Sequence, residues 1–160
     1  MRLMLIAAVA AALATPALAA DPAGAARAPI DAFAAAFAKG DMAAAKATHV
    51  ASPTILDEPP PFMWSGKDAF DTWLADLGAD SKAAGRTAES LVIGRTLRAE
   101  TKGDAAYVIA AATYSFTKDG VAMVEAGRMT FVVKKLAGGW KIAGWTWTGP
   151  RPSPKPAPKP

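Results

Sequence analysis

Asp57 closes the apolar run Thr54-Ile55-Leu56 and stands directly before Glu58 and the three prolines Pro59, Pro60 and Pro61. A carboxylate held in a cleft is the group that proton abstraction beside a carbonyl requires, whereas a carboxylate at a strand end can equally cap a turn in water. Neighbouring strand residues point to opposite sides, so Asp57 and Glu58 can share a pocket only where the prolines twist the chain, and Glu58 is expected in solvent. His49 is the sole histidine, and the chain has no cysteine. No His-x-His or His-x-x-x-His spacing exists to anchor a metal, so no metal site is expected. Lying eight residues before Asp57, His49 has two roles open to it: a hydrogen-bonded pair with that carboxylate as a catalytic unit, or a satisfied core histidine.

The five tryptophans are Trp64, Trp73, Trp140, Trp145 and Trp147. Trp145 and Trp147 lie two apart and share one side of a strand, which leaves Trp140, Ile142 and Thr146 for the other. One set packs on helices; the other lines a cavity or an interface. Tyr114 and Arg128 are polar groups in apolar strands, a pattern that suits ligand anchoring and suits an internal hydrogen bond equally. No nucleophile elbow, phosphate loop or dinucleotide fingerprint occurs, and no cofactor is implied.

The elements that must position these residues are legible from periodicity. Ile30, Phe33, Phe37, Met42 and Ala45 recur at helical spacing between Pro29 and Val50, with Lys39-Gly40-Asp41 dividing two helices and Asp41 suited to an N-cap. Prolines forbid helix from Pro53 to Pro61, where Thr54–Asp57 and Phe62–Trp64 read as short strands. Ala69, Phe70, Trp73, Leu74 and Leu77 form the stripe of a third helix closed by Gly78. Four long strands follow, at about 90 to 101, 105 to 117, 121 to 136 and 140 to 148, joined by Lys102-Gly103-Asp104, Lys118-Asp119-Gly120 and Ala137-Gly138-Gly139. The expected class is α+β, with N-terminal helices packed on one face of a curved antiparallel sheet.

The ends of the chain carry different signals. Residues 1–19 have a basic start, an apolar run from Leu3 to Ala14 and Ala17-Leu18-Ala19, which predict a signal peptide cleaved after Ala19 and a periplasmic or secreted product. The run is too short for a bilayer span, and no lipid-bearing cysteine exists, so a soluble domain over residues 20–149 is expected. Residues 150–160 alternate proline with Arg, Ser and Lys and are expected to form a disordered tail without helix or ladder. The formal charge of +4 comes from Arg2, Arg151, Lys155 and Lys159, since residues 21–149 hold 14 basic and 14 acidic side chains. A neutral body lacks the footprint of a nucleic-acid binder, and no nucleic-acid partner is expected.

In the order of its elements the chain resembles the nuclear transport factor 2-like superfamily, which includes SnoaL-like proteins and ketosteroid isomerase. Three stretches carry the resemblance: Phe33 to Asp41, His49 to Gly66, and Gly139-Trp140-Lys141-Ile142-Ala143-Gly144-Trp145. It implies a cone with a pocket between sheet and helices, lined here by Phe33, His49, Asp57, Trp64, Tyr114, Arg128, Trp145 and Trp147. It also places Asp57 where the isomerases carry their general base. The oxyanion-binding tyrosine of those enzymes falls on Phe33, and their partner acid falls near Arg128 or Thr130, so both donors are replaced. Three functions fit: binding of a small, partly apolar ligand, isomerase, dehydratase or hydrolase chemistry with Asp57 as base, or a structural module that forms a homodimer through its sheet.

Overall fold

The computed structural model describes residues 22–156. The predicted signal segment lies outside them, as do residues 157–160. The elements are α1 (Pro22–Ala38), α2 (Met42–Ala47), β1 (His49–Leu56), β2 (Met63–Ser65), α3 (Ala69–Ala83), β3 (Arg86–Lys102), β4 (Ala105–Lys118), β5 (Val121–Leu136), β6 (Gly139–Thr148) and the short β7 (Ser153–Pro154).

Ala26, Ile30 and Phe33 of α1 fall on one helical stripe and are fully buried, with Phe37 half-buried one turn further on. Arg27 ties this helix to β3 by donating to the Gly94 carbonyl at 2.9 Å. Asp41 caps α2, its side chain accepting from Ala44 N at 3.0 Å. α3 continues through Gly78 to Ala83. One apolar stripe on the sheet outweighs the cost of a single mid-helix glycine, about 1 kcal/mol.

The sheet order is β2-β1-β6-β5-β4-β3, with β7 added on β5. β3 to β6 form the expected antiparallel meander, and the Lys118-Asp119-Gly120-Val121 turn has positive φ at both central residues, 51° and 77°, as a two-residue hairpin requires. The sheet is nevertheless mixed, because β1 runs parallel to β6. A strand delivered from the helical half need not be a hairpin neighbour of the strand beside it. Gly144 permits the pairing: a Cβ there would meet the Thr54 carbonyl oxygen at 2.7 Å.

The curvature arises where the ladder slips. β3 shifts register between Thr87 and Ser90 and again between Ile93 and Arg98, and extra residues of this kind bend a strand. In β6 the register jumps from Val132 opposite Gly144 to Val133 opposite Ile142, leaving Ala143 as the extra residue. This bulge corrects the simple alternation: Ile142, expected on the far side from Trp145, is fully buried in the same core. The opposite, convex face is open. Leu56, Met63, Tyr107 and Val132 lie exposed on it, the face through which a homodimer was expected to form.

The proline-rich tail also departs from expectation. Ser153 and Pro154 pair with Val124 and Met123, and Lys155 N donates to the Ala122 carbonyl at 2.8 Å. β6 occupies β5 only from Arg128 onward, so the earlier half of β5 offers a free edge, where proline is tolerated as long as its missing N–H faces away from the ladder. Truncation after Gly149 should therefore destabilise the domain by about 1 kcal/mol, a fall in melting temperature of roughly 2 to 8 °C. Calorimetry of the two forms measures it, and an unchanged melting temperature would mean that the tail does not pack.

Candidate functional site

Between the concave face of the sheet and the helices lies a cavity of about 280 Å³. Asp57 and Glu58 enter it from the end of β1, Trp73 and Asp80 from α3, Arg86 and Tyr114 from β3 and β4, and Glu125, Trp145 and Trp147 from β5 and β6. Pro152, from the segment leading into β7, completes the rim.

Asp57 is locked in place. Its Oδ2 accepts from Trp73 Nε1 at 2.8 Å, and its Oδ1 accepts from Glu58 N at 2.9 Å. Burial raises its pKa above the ordinary aspartate value, and the Trp73 bond opposes that rise. The chain then turns through the prolines, with Phe62 at φ 73° and its carbonyl accepting from Asp57 N at 3.1 Å. That turn brings Glu58 to the same cavity as Asp57, although as a residue it stays exposed, as expected.

Glu58 faces Glu125. Partial burial of its carboxyl and the neighbouring Glu125 push the Glu58 pKa up to about 7, with Asp57 adding to the rise and Arg86 opposing it. Glu125 itself is 2 % exposed, and its Oε1 accepts from Trp147 Nε1 at 2.7 Å. On the rim, Arg86 pairs with Asp80 and lies 5.8 Å from the Phe116 ring centre. Its Nε makes no hydrogen bond, with Glu89 Oε2 at 4.0 Å. The Tyr114 hydroxyl donates to Glu89, and burial pushes the phenol pKa upward.

Of the residues singled out in the sequence, Asp57, Tyr114, Trp145 and Trp147 line this cavity. The other four lie elsewhere. Trp64 is buried behind α3, its Nε1 donating to Asp76 Oδ2 at 2.8 Å. Phe33 sits in the core against His49 and Trp145, with ring centres 5.2 and 6.2 Å away. Arg128 is exposed, because β5 alternates and its inward phase is carried by Glu125, Gly127, Met129 and Phe131. Sequence reasoning missed Glu125, which is buried on the opposite face of β5 from Arg128. An acidic residue in phase with Met129, Phe131 and Val133 was the signal that could have found it.

His49 does not pair with Asp57. Its Nε2 accepts from Trp145 Nε1 at 3.2 Å, and its Nδ1 lies 3.1 Å from the Ala45 carbonyl. An indole N–H can only donate, so Nε2 must be the unprotonated nitrogen and Nδ1–H the donor to Ala45. Burial lowers the His49 pKa to about 4, Ala45 acting against the shift and Lys141 with it.

The family model for the SnoaL-like domain matches residues 26–146. No curated protein matches the chain significantly. Among solved structures, the chain is similar to a ketosteroid isomerase-like protein from Erwinia carotovora atroseptica, with 21% identity, a TM-score of 0.62 and coverage of 81% of this chain and 97% of that one. It is similar also to a nuclear transport factor 2-like superfamily protein from Salmonella enterica, at 17% identity, TM-score 0.60 and coverage of 76% and 86%. A third relative is the CaMKII hub of S. rosetta, at 23% identity, TM-score 0.63 and coverage of 83% and 100%. The helices on a curved mixed sheet, the match over residues 26–146 and these neighbours together place the chain in the SnoaL-like domain family of the nuclear transport factor 2-like superfamily.

Proposed function

We propose that the chain binds a small, partly apolar molecule in its cone and moves a proton on it, as an isomerase or dehydratase does, in a compartment outside the cytoplasm. The observation that carries this reading is the Glu58 carboxyl opposed to the buried Glu125 at the wall of an aromatic cavity. A carboxyl with a pKa of about 7 holds a proton near neutrality and still gives it up, which is the property of an effective acid–base group. Asp57, bonded through both oxygens, is the fixed carboxylate beside it. The superfamily setting, with an isomerase-like neighbour, agrees with proton transfer without naming the substrate.

The test is isotope exchange. Small enolisable ketones that quench the fluorescence of Trp145 and Trp147 are incubated with the protein in D2O and followed by proton NMR. At least one should lose its α-proton signal, and Glu58→Gln and Asp57→Asn should each slow the loss by about 10²-fold or more. If every ketone that binds keeps its α protons, or if Glu58→Gln exchanges as fast as the wild type, proton transfer is ruled out. The cavity would then stand as a binding pocket only.

A further inference from the structure

The walls of the cavity differ in what they offer a ligand. Three indoles face it, and each spends its N–H elsewhere: Trp73 on Asp57 at 2.8 Å, Trp147 on Glu125 at 2.7 Å and Trp145 on His49 at 3.2 Å. None of the three indole N–H groups is left to donate to a ligand, and Trp73 and Trp145, 2 % and 4 % exposed with ring centres 5.0 Å apart, meet the cavity as packed aromatic wall. The Tyr114 hydroxyl is likewise committed to Glu89. Against these stand four carboxyl groups on the lining, Asp57, Glu58, Asp80 and Glu125, and one cationic side chain, Arg86. Arg86 is already paired with Asp80 through Nη2, and Glu89 Oε2 lies 4.0 Å from its Nε.

Such a lining, with four carboxyl groups against one paired cation, disfavours an anion. Aromatic faces attract a cation through their quadrupole, more strongly where water is excluded, and carboxyl oxygens add direct charge attraction. Among the described residues no group of three or more metal-binding side chains is assembled to hold an ion, so the complementary species is organic. We propose that the ligand of this cavity is a small organic cation, an ammonium group carried on a partly apolar body, held by the aromatic lining and the Glu58–Glu125 pair. The inference rests on the reading of the cavity as a small-molecule site and specifies the ligand's charge.

Three probes of one shape separate the two. Choline, its uncharged carbon analogue 3,3-dimethylbutan-1-ol and the anion 3,3-dimethylbutanoate are titrated against tryptophan fluorescence. Choline should bind about tenfold or more tighter than the alcohol, with the anion weakest. Glu58→Gln, at an exposed position, should remove most of the preference for choline over the alcohol. Glu125→Gln, which keeps an oxygen for Trp147 Nε1, should act in the same direction. If the alcohol or the anion binds as tightly as choline, the cation proposal is overturned while the pocket survives. If none of the three alters the fluorescence, the small-molecule reading fails and the cation proposal with it.

Discussion

Lowering the pH from about 7 to about 4 should remove about 3 kcal/mol of stability from the wild-type chain relative to a His49→Gln variant. His49 is 6 % exposed and held neutral, with a pKa of about 4 in the fold against 6.5 for the free side chain. Between those two values the unfolded chain binds a proton that the folded chain does not. The contribution is therefore complete above about 6.5, declines as the pH falls, and is gone below about 4. The geometry explains why the proton is refused: protonated Nε2 would point its hydrogen at the Trp145 N–H. Glutamine can accept from Trp145 and donate to Ala45 without titrating, so the difference between the two proteins isolates the histidine. Asp57 and Glu58, with raised pKa values, contribute with the opposite sign, below their ordinary pKa values and up to the raised ones. Urea denaturation of both proteins at each pH provides the measurement. Parallel stability curves would show that His49 is not buried in its neutral form.

The fold was legible wherever a period repeats long enough to be read. Four strands joined by glycine-containing turns, and helices whose apolar residues recur every three or four positions, left one arrangement able to bury Phe33, Phe70 and Phe131 together. What the pattern did not carry is the register between elements far apart in sequence. The parallel seating of β1 against β6 depends on Gly144 meeting Thr54, and the bulge at Ala143 decides that Ile142 and Trp145 share a side. Neither leaves a periodic trace. The tail was misread for a related reason, because its composition argued for an extended chain without revealing that β5 has a free edge beside it.

The site was legible in halves. Asp57 was found as a strand-end carboxylate, and Trp145 and Trp147 as a pair on one strand face. His49 had two roles open to it, a pair with Asp57 or a satisfied core histidine, and it takes the second. In the fold it starts β1 while Asp57 follows the end of that strand, eight residues away, and Trp145 claims its free nitrogen. Arg86 and Glu125 had no local pattern strong enough to compete with Arg128. Glu125 becomes conspicuous only when the inward phase of β5 is set by Met129 and Phe131.

The second large effect concerns Glu58, whose carboxyl should keep its proton up to a pH of about 7 instead of losing it near 4.5. Burial is the leading cause and Glu125 the next, so replacing Glu125 by glutamine should lower the Glu58 pKa clearly, yet leave it above 4.5 because burial and Asp57 remain. The consequence is functional: a glutamate that ionises at its ordinary value holds no proton at neutrality and can donate none. The chain has only four glutamates, Glu58, Glu89, Glu100 and Glu125, so each side-chain carboxyl can be assigned by mutation and followed by carbon-13 NMR. A Glu58 titration centred near pH 7 is expected in the wild type, with a lower midpoint in Glu125→Gln. A wild-type midpoint near 4.5, or one that Glu125→Gln leaves unmoved, would contradict that expectation.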